Sequence, residues 1–277
     1  MNRTVSRLAR LPRLAHLARL AGPLTGVLLA LAVAATPALA ASAPGAHGGT
    51  VRAGQAEDLG ARTRCAEAWR AAAADPTVEH YEAVGLCEID RRLATIERLE
   101  NAIEGSRPLT DAHQAALQEI LDESAAGLRA LRAEIEADTT LAELREDIGS
   151  IFQDYRIYVL VVRQVWLVMA ADTVDAAGAA LDETAGDLAV LIERAEANGQ
   201  DVTEAKEHLA AMEVAIAEAL AGVDGVAEDV LPLTPADWNA GTAGPILRES
   251  RQAIADARAD LRTAMAEARQ VIAALAG

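Results

Sequence analysis

IFQDYRIYVLVVRQVWLVMAA, residues 151–171, decides how the rest of the chain reads. It holds Phe152, Tyr155, Tyr158 and Trp166, four of the seven aromatic residues in the chain. Working backward from it, apolar residues recur at Leu144, Ile148, Ile151, Tyr155, Tyr158, Val162, Val165 and Met169. That is the alternating four-and-three spacing of a heptad seam, the mark of a helix packed along one side. Working forward, a second seam runs through Leu167, Ala171, Val174, Gly178, Leu181, Ala185, Leu188 and Ile192, two residues out of phase with the first. Two residues turn a helix by roughly 200°, so the second seam lies on the opposite face. The stretch therefore predicts a helix passing from one helical bundle into the next.

Two rival readings fail on composition. The β-branched run IYVLVV suits a buried strand, but no second strand candidate exists to pair with it. A membrane span needs about twenty apolar residues, and this run is about fifteen with Arg163 in its middle. Arg163 reads instead as an edge residue, its stem on the core and its guanidinium reaching water or a carboxylate.

The 277 residues are rich in alanine and only 3% aromatic. Such a core packs by close approach of small side chains, which favours long helices. The first forty residues differ in kind. Arg3, Arg7, Arg10, Arg13 and Arg19 precede an apolar run over 24–35, and Ala38-Leu39-Ala40 supplies a small-x-small cleavage pattern. We expect a Sec-type signal peptide over 1–40, cleaved after Ala40, and an extracytoplasmic or secreted protein; an uncleaved signal anchor is the alternative. The leader has no Arg-Arg pair and no lipid-anchor cysteine. Its five arginines leave the mature chain with 42 acidic residues against 20 of the 25 basic ones, a net charge of −22. Such a surface repels nucleic acid and anionic lipid, and favours cations or basic partners.

The only cysteines are Cys65 and Cys87, with the helix stop-and-restart signal Asp75-Pro76 between them. In an antiparallel hairpin turning at Pro76 the two thiols face each other, which predicts a disulfide in an exported protein. A metal site would need further ligands, and no histidine lies beside either cysteine.

Residues 41–60 are small and polar and read as a flexible tether. A short helix over 61–74 follows, with Trp69 inward. The next helix, 77–104, turns Leu86, Ile89, Leu93, Ile96, Leu99 and Ile103 inward. The third, opening at Leu109-Thr110-Asp111, carries Leu117, Leu121, Ser124, Leu128, Leu131 and Ile135. Thr140 and Glu143 form a capping box for the long helix, which Asn198-Gly199 ends. Another helix carries Leu209, Met212, Ile216, Leu220, Val223 and Val230 before Pro232 stops it. After a loop over 231–245, in which Thr234-Pro235 opens a helical turn, the last helix runs over 246–276. The expected fold is all-α: two elongated, antiparallel, coiled-coil-like bundles, 61–170 and 171–277, joined by the long shared helix. Whether that helix breaks near Asp172-Thr173 is open.

No G-x-S-x-G elbow, H-E-x-x-H pair, glycine-rich phosphate loop, EF-hand loop or Glu-x-x-His pair occurs. Five histidines are scattered, and Glu204 with His208 share a helix face that could meet a divalent cation but reads more simply as solvated. Leu231-Pro232-Leu233-Thr234 copies the start of a sortase signal, but Pro235 stands where that signal needs glycine.

The segments C-x-x-A-W-R at 65–70, DPTVEHYEAVGLCEIDRR at 75–92, DYRIYVLVV at 154–162 and LPLTPADWNAG at 231–241 resemble a group of uncharacterised secreted α-helical proteins of high-GC actinobacteria. The resemblance spans nearly all of the mature chain and implies an exported helical protein. It carries over no activity. The expected function is that of an exported, non-enzymatic helical scaffold or protein-interaction module, with no cofactor, no metal and no catalytic residue. Its partner is an unspecified protein or cell-envelope component, neither nucleic acid nor a membrane core, and self-association is allowed. Trp238, Asn239 and Trp166 are the candidate partner-binding residues, because aromatic side chains are scarce here and favoured at interfaces. A low-affinity divalent-cation binder is the alternative.

Overall fold

The computed structural model describes the backbone of residues 48–276, and side chains at 60 and 62–276. The expected leader and the first part of the tether lie outside the described residues. The elements are α1 (Gly48–Ala74), α2 (Val78–Glu104), α3 (Asp111–Ala137), α4 (Leu141–Gln153), a π-helical turn (Ile157–Val161), α5 (Val162–Ala197), α6 (Thr203–Val223), α7 (Val226–Val230), α8 (Pro235–Ala240) and α9 (Ala243–Ala276). No strand occurs among the described residues, so the fold is all-α.

Residues 48–60, expected in the tether, belong instead to α1. The segment 51–74 is dominated by Ala, Arg, Glu and Gln and contains no proline, so its glycines at 54 and 60 weaken the helix without ending it. The hairpin of α1 and α2 turns at 75–77, where the Thr77 hydroxyl accepts from the His80 N–H at 3.2 Å. It is stapled by the Cys65–Cys87 disulfide, with a Cα–Cα distance of 5.5 Å. Trp69 does not face inward: it is 38% exposed, and its Nε1 donates to Glu88 at 3.2 Å.

The long helix is not continuous. α4 opens with the expected Thr140–Glu143 capping box but ends at Gln153. Arg156 then adopts a left-handed conformation (φ 44°), costly for any residue with a Cβ. The chain re-enters as the π turn before α5, which runs unbroken past Asp172 and Thr173. The reason lies far away in sequence. The Arg156 guanidinium donates to the Asn239 Oδ1, from Nε at 2.8 Å and also from its terminal amino group. Asn239 in turn donates to the Gln153 carbonyl at 3.0 Å, occupying one of the acceptors left at the end of α4. On the other side, the Tyr158 hydroxyl donates to the Arg91 carbonyl at 3.2 Å.

The break re-phases the buried face. Leu144, Ile148 and Ile151 are buried as the first seam requires, but the buried series continues through Ile157, Leu160, Val161, Gln164, Val165 and Val168 rather than Tyr155, Tyr158 and Val162. It then joins the second seam at Ala171, Val174, Gly178, Ala185, Leu188 and Ile192. One helix with two apolar faces is thus replaced by two helices with one face each. The span 141–197 contains a window apolar enough to cross a membrane, mean hydropathy 1.6, and half of that window is buried inside the fold.

The core does not divide at residue 170. One cluster runs from Ala72 through the inward faces of α2 to α4 and the first half of α5 to Val223, Leu247 and Leu261; a second holds the far ends of α5, α6 and α9. The early part of α5 thus shares its cluster with the start of α9 and the end of α6, and its late part with the end of α9 and the start of α6. α5 and α9 therefore run parallel, with α6 antiparallel to both. Gly178 lets α6 come close: a Cβ there would stand 2.5 Å from Leu220.

Candidate functional site

Two helices that run parallel and lean on a third leave a trough on the side away from that third helix. Here it is an open groove of about 790 Å³ lined from α5 by Val162, Arg163, Trp166, Leu167, Met169, Ala170 and Thr173, and from α9 by Leu247, Arg248, Arg251, Ile254, Ala255 and Arg258. The volume lies in the range of ligand-binding clefts. Its floor is apolar, with Leu247 and Ile254 only 3% exposed, while Trp166 at the rim is 53% exposed.

Four arginines edge this floor. No carboxylate lies in ion-pair range of any of them among the described residues; the one recorded partner is the Trp238 ring, 5.4 Å from the Arg163 guanidinium. The sequence explains why. None of Arg163, Arg248, Arg251 and Arg258 has Asp or Glu three or four residues away on either side, where a helix would pair them. Other arginines, such as Arg129, Arg262 and Arg269, also lack an acid at these positions; what sets these four apart is that they edge one apolar floor in a chain with 42 acidic and 25 basic residues.

The end of the groove is held by the loop that bears Trp238. Gln164, 1% exposed, donates from Nε2 to the carbonyls of Val230 (3.0 Å), Leu231 (3.3 Å) and Leu233 (2.9 Å). The Val230 carbonyl also takes the Leu233 N–H at 3.3 Å, so the amide mainly serves the Leu231 and Leu233 carbonyls beyond the end of α7. Thr234 and Asp237 form a capping box with Pro235 at the first turn of α8, the expected cap. The Thr234 hydroxyl and backbone hold the Asp237 carboxyl below the usual carboxylate range. Gly241 takes the left-handed conformation (φ 82°) that lets α8 stop and α9 begin.

The sequence-derived candidates separate cleanly. Trp166 lines the groove and Trp238 borders it through Arg163. Asn239 does not line it, since both ends of its side-chain amide are used at the α4 break. Cys65 and Cys87 are bonded and lie at the other end of the chain order. Arg163 is an edge residue as read, but the wall it belongs to was missed, because Arg248, Arg251 and Arg258 join it only through the packing of α5 beside α9; the lack of an i±3 or i±4 acid is shared with Arg129, Arg145, Arg156, Arg194, Arg262 and Arg269.

Three other polar clusters are internal fasteners. Asp172, 2% exposed, accepts from the Thr110 N–H at 2.7 Å and from His113 Nδ1 at 2.8 Å, tying α5 to the start of α3. Beside it a cavity of about 400 Å³ is edged by Asp175, Asp224 and Glu228. Burial, then Asp172, Asp224 and Glu228, push the Asp175 carboxyl up. At the opposite end, Glu88 takes hydrogen bonds or ion pairs from Trp69, Arg91 and Arg92, and Arg92 stacks over the rings of Phe152 and Tyr158 at 4.5 and 5.2 Å. Burial lowers the Arg92 pKa, opposed by its hydrogen bond to Glu88. His208 is not part of a solvated face: its Nδ1 meets Glu267 at 2.6 Å, joining α6 to α9. No group of three or more His, Cys, Asp or Glu side chains among the described residues could hold a metal ion.

No family model, curated protein or solved structure matches the chain.

Proposed function

We propose that this is an exported, non-enzymatic helical binding module that receives a partner in the groove between α5 and α9. The observation that carries the reading is the pairing of an apolar floor with four arginines that have no acid of their own. Leaving guanidiniums beside an apolar trough gains the fold little, because each could have been given a helical acid partner three or four residues away. A partner that brings both apolar side chains and carboxylates satisfies the whole surface at once. The groove holds no nucleophile and no acid–base pair: its polar groups are four arginines, the Trp166 indole and the Thr173 hydroxyl, and that hydroxyl donates to the Met169 carbonyl at 2.7 Å.

The test is crosslinking capture from the native host envelope, comparing the native chain with Arg248→Glu/Arg251→Glu and with Trp166→Ala. A partner recovered by the native chain and lost in the double charge reversal supports the reading. Equal recovery by all three chains overturns it. The divalent-cation alternative rests on the acidic helix faces, where no group of three or more His, Cys, Asp or Glu among the described residues could hold a metal ion; a melting temperature indifferent to calcium and EDTA at constant ionic strength removes it.

A further inference from the structure

The groove's occupant has to be apolar along its centre, acidic at its edges and about as long as the groove. Arg248 and Arg258 are ten residues apart on α9, a distance of about 15 Å along the axis. The guanidiniums are therefore strung along the groove rather than gathered around one headgroup. The trough is also open, as the exposure of Trp166 shows. A lipid tail laid in it would remain partly wet, whereas an amphipathic helix would keep its outer face in solvent and bury only its inner one. The chain's own leader is not that occupant, because its five arginines repeat the sign of the groove.

The matching surface is present on the same molecule. Val214 on α6, 57% exposed, and Trp166, 53% exposed, are the two most exposed large apolar side chains among the described residues. Around Val214, the helical period places Ala210, Ala217 and Ala221 on one stripe, with Glu207 and Glu218 along its edge. All are exposed. Neither glutamate is in an ion pair among the described residues, and neither has a basic residue three or four positions away. Glu207 and Glu218 stand about 16 Å apart along the helix, close to the run of arginines facing them in the proposed pairing.

α6 packs on α5 and α9 through Ala205, Met212, Ala215, Ile216, Ala219 and Val223. The Val214 stripe thus faces away from the bundle on one side, and the groove opens on the other. One molecule cannot bring the two together, but two molecules can. The geometry points to self-assembly in which the acidic α6 stripe of one copy docks into the arginine groove of the next. This deepens the reading of the groove as a binding site and rests on it. The two surfaces differ, so the contact is head-to-tail and leaves a free groove and a free stripe at the ends of every oligomer. The net charge of −22 on the chain without its leader, 42 acidic against 20 basic residues, opposes association at long range. At physiological salt, interactions beyond about 8 Å are largely screened, while contacts at ion-pair distance are less affected.

The experiment is light scattering coupled to size exclusion, with sedimentation velocity, on the disulfide-intact exported chain from micromolar to millimolar concentration. Three proteins are compared: the native chain, a groove variant (Arg248→Glu/Arg251→Glu) and a stripe variant (Val214→Lys/Glu218→Lys), each checked by circular dichroism for native helix content. The native chain is expected to rise past dimer mass with concentration, and each variant to remain monomeric. Mixing the two variants is expected to give a capped one-to-one dimer that grows no further, since one retains the stripe and the other the groove. A native chain that stays monomeric throughout overturns the inference. So does assembly that survives in either variant, or variants that fail to pair when mixed. If the native chain stays monomeric while envelope capture still depends on Arg248 and Arg251, self-docking fails and the groove remains a site for a foreign partner. If capture is also indifferent to them, both readings fail.

Discussion

Replacing Asp172 with alanine removes a buried side chain that fastens α5 to the start of α3. Asp172 is 2% exposed, and its two carboxylate oxygens accept from the Thr110 N–H at 2.7 Å and from His113 Nδ1 at 2.8 Å. A hydrogen bond to a charged group contributes about 1.5–3 kcal/mol. Thr110 is the N-cap of α3, so losing its acceptor leaves a donor stranded at the helix start. His113 loses less, since its side chain is 25% exposed and can turn to water. Removing a buried charge returns part of the cost. The expected net loss is about 2–4 kcal/mol, or roughly 5–12 °C in melting temperature for a chain of this size. Asp172→Asn, which keeps one carbonyl acceptor for Thr110 and offers an amide to the other tautomer of His113, should lose about 1 kcal/mol. Thermal denaturation followed by circular dichroism gives the totals, and hydrogen exchange at residues 111–114 gives the location. If Asp172→Ala melts within a degree of the native chain, or if its exchange rises everywhere except at the start of α3, the fastening role assigned to Asp172 is wrong.

Three further outcomes follow from the same geometry. Replacing Cys65 and Cys87 together by alanine should lower stability by about 3 kcal/mol in the chain-entropy estimate for a separation of 22 residues, read as a lower denaturant midpoint with a slope unchanged or somewhat steeper, since the uncrosslinked denatured chain is more expanded. Asn239→Ala strips the Gln153 carbonyl and Arg156 of their partners, at a cost of about 1–2 kcal/mol, with faster amide exchange confined to 154–158. Asp175→Asn should raise the melting temperature at neutral pH. The folded state raises the Asp175 pKa, so its ionised form costs stability above that pKa; the cost fades as the proton binds and is gone below the ordinary carboxylate range. The advantage of the asparagine should therefore vanish in melts run in acid.

The all-α fold was legible because helical period and capping are local. Thr140–Glu143, Thr234–Pro235 and Gly199 acted where the sequence placed them, and the inward face of α3 followed its heptad except that Ala125 is buried in place of Ser124. The π turn was not legible, because it depends on Asn239 reaching Gln153 and Arg156 across more than eighty residues. A period read through Tyr155 and Tyr158 looked continuous because aromatic residues count as apolar, although Tyr158 needs a partner for its hydroxyl and finds one on α2. The buried charges at Glu88, Arg92 and Asp172 were hidden for the same reason, since burial of an ionised group depends on partners that other helices supply. Of the candidate site, Trp166 was visible by the scarcity of aromatic residues. The arginine wall was not legible, because the missing acids around positions 163, 248, 251 and 258 recur around 129, 145, 156, 194, 262 and 269, and only the packing of α5 beside α9 brings the four together.

The most direct test of the α5–α9 groove as the working surface is a photoactivatable side chain placed at Ala255 on its wall, with the same group at the exposed Glu119 on α3 as control. After irradiation in the native envelope, the account predicts adducts from position 255, none above background from 119, and a crosslinked peptide that is helical, acidic and apolar on one face. Adducts equally frequent from both positions, or from 119 alone, would contradict it.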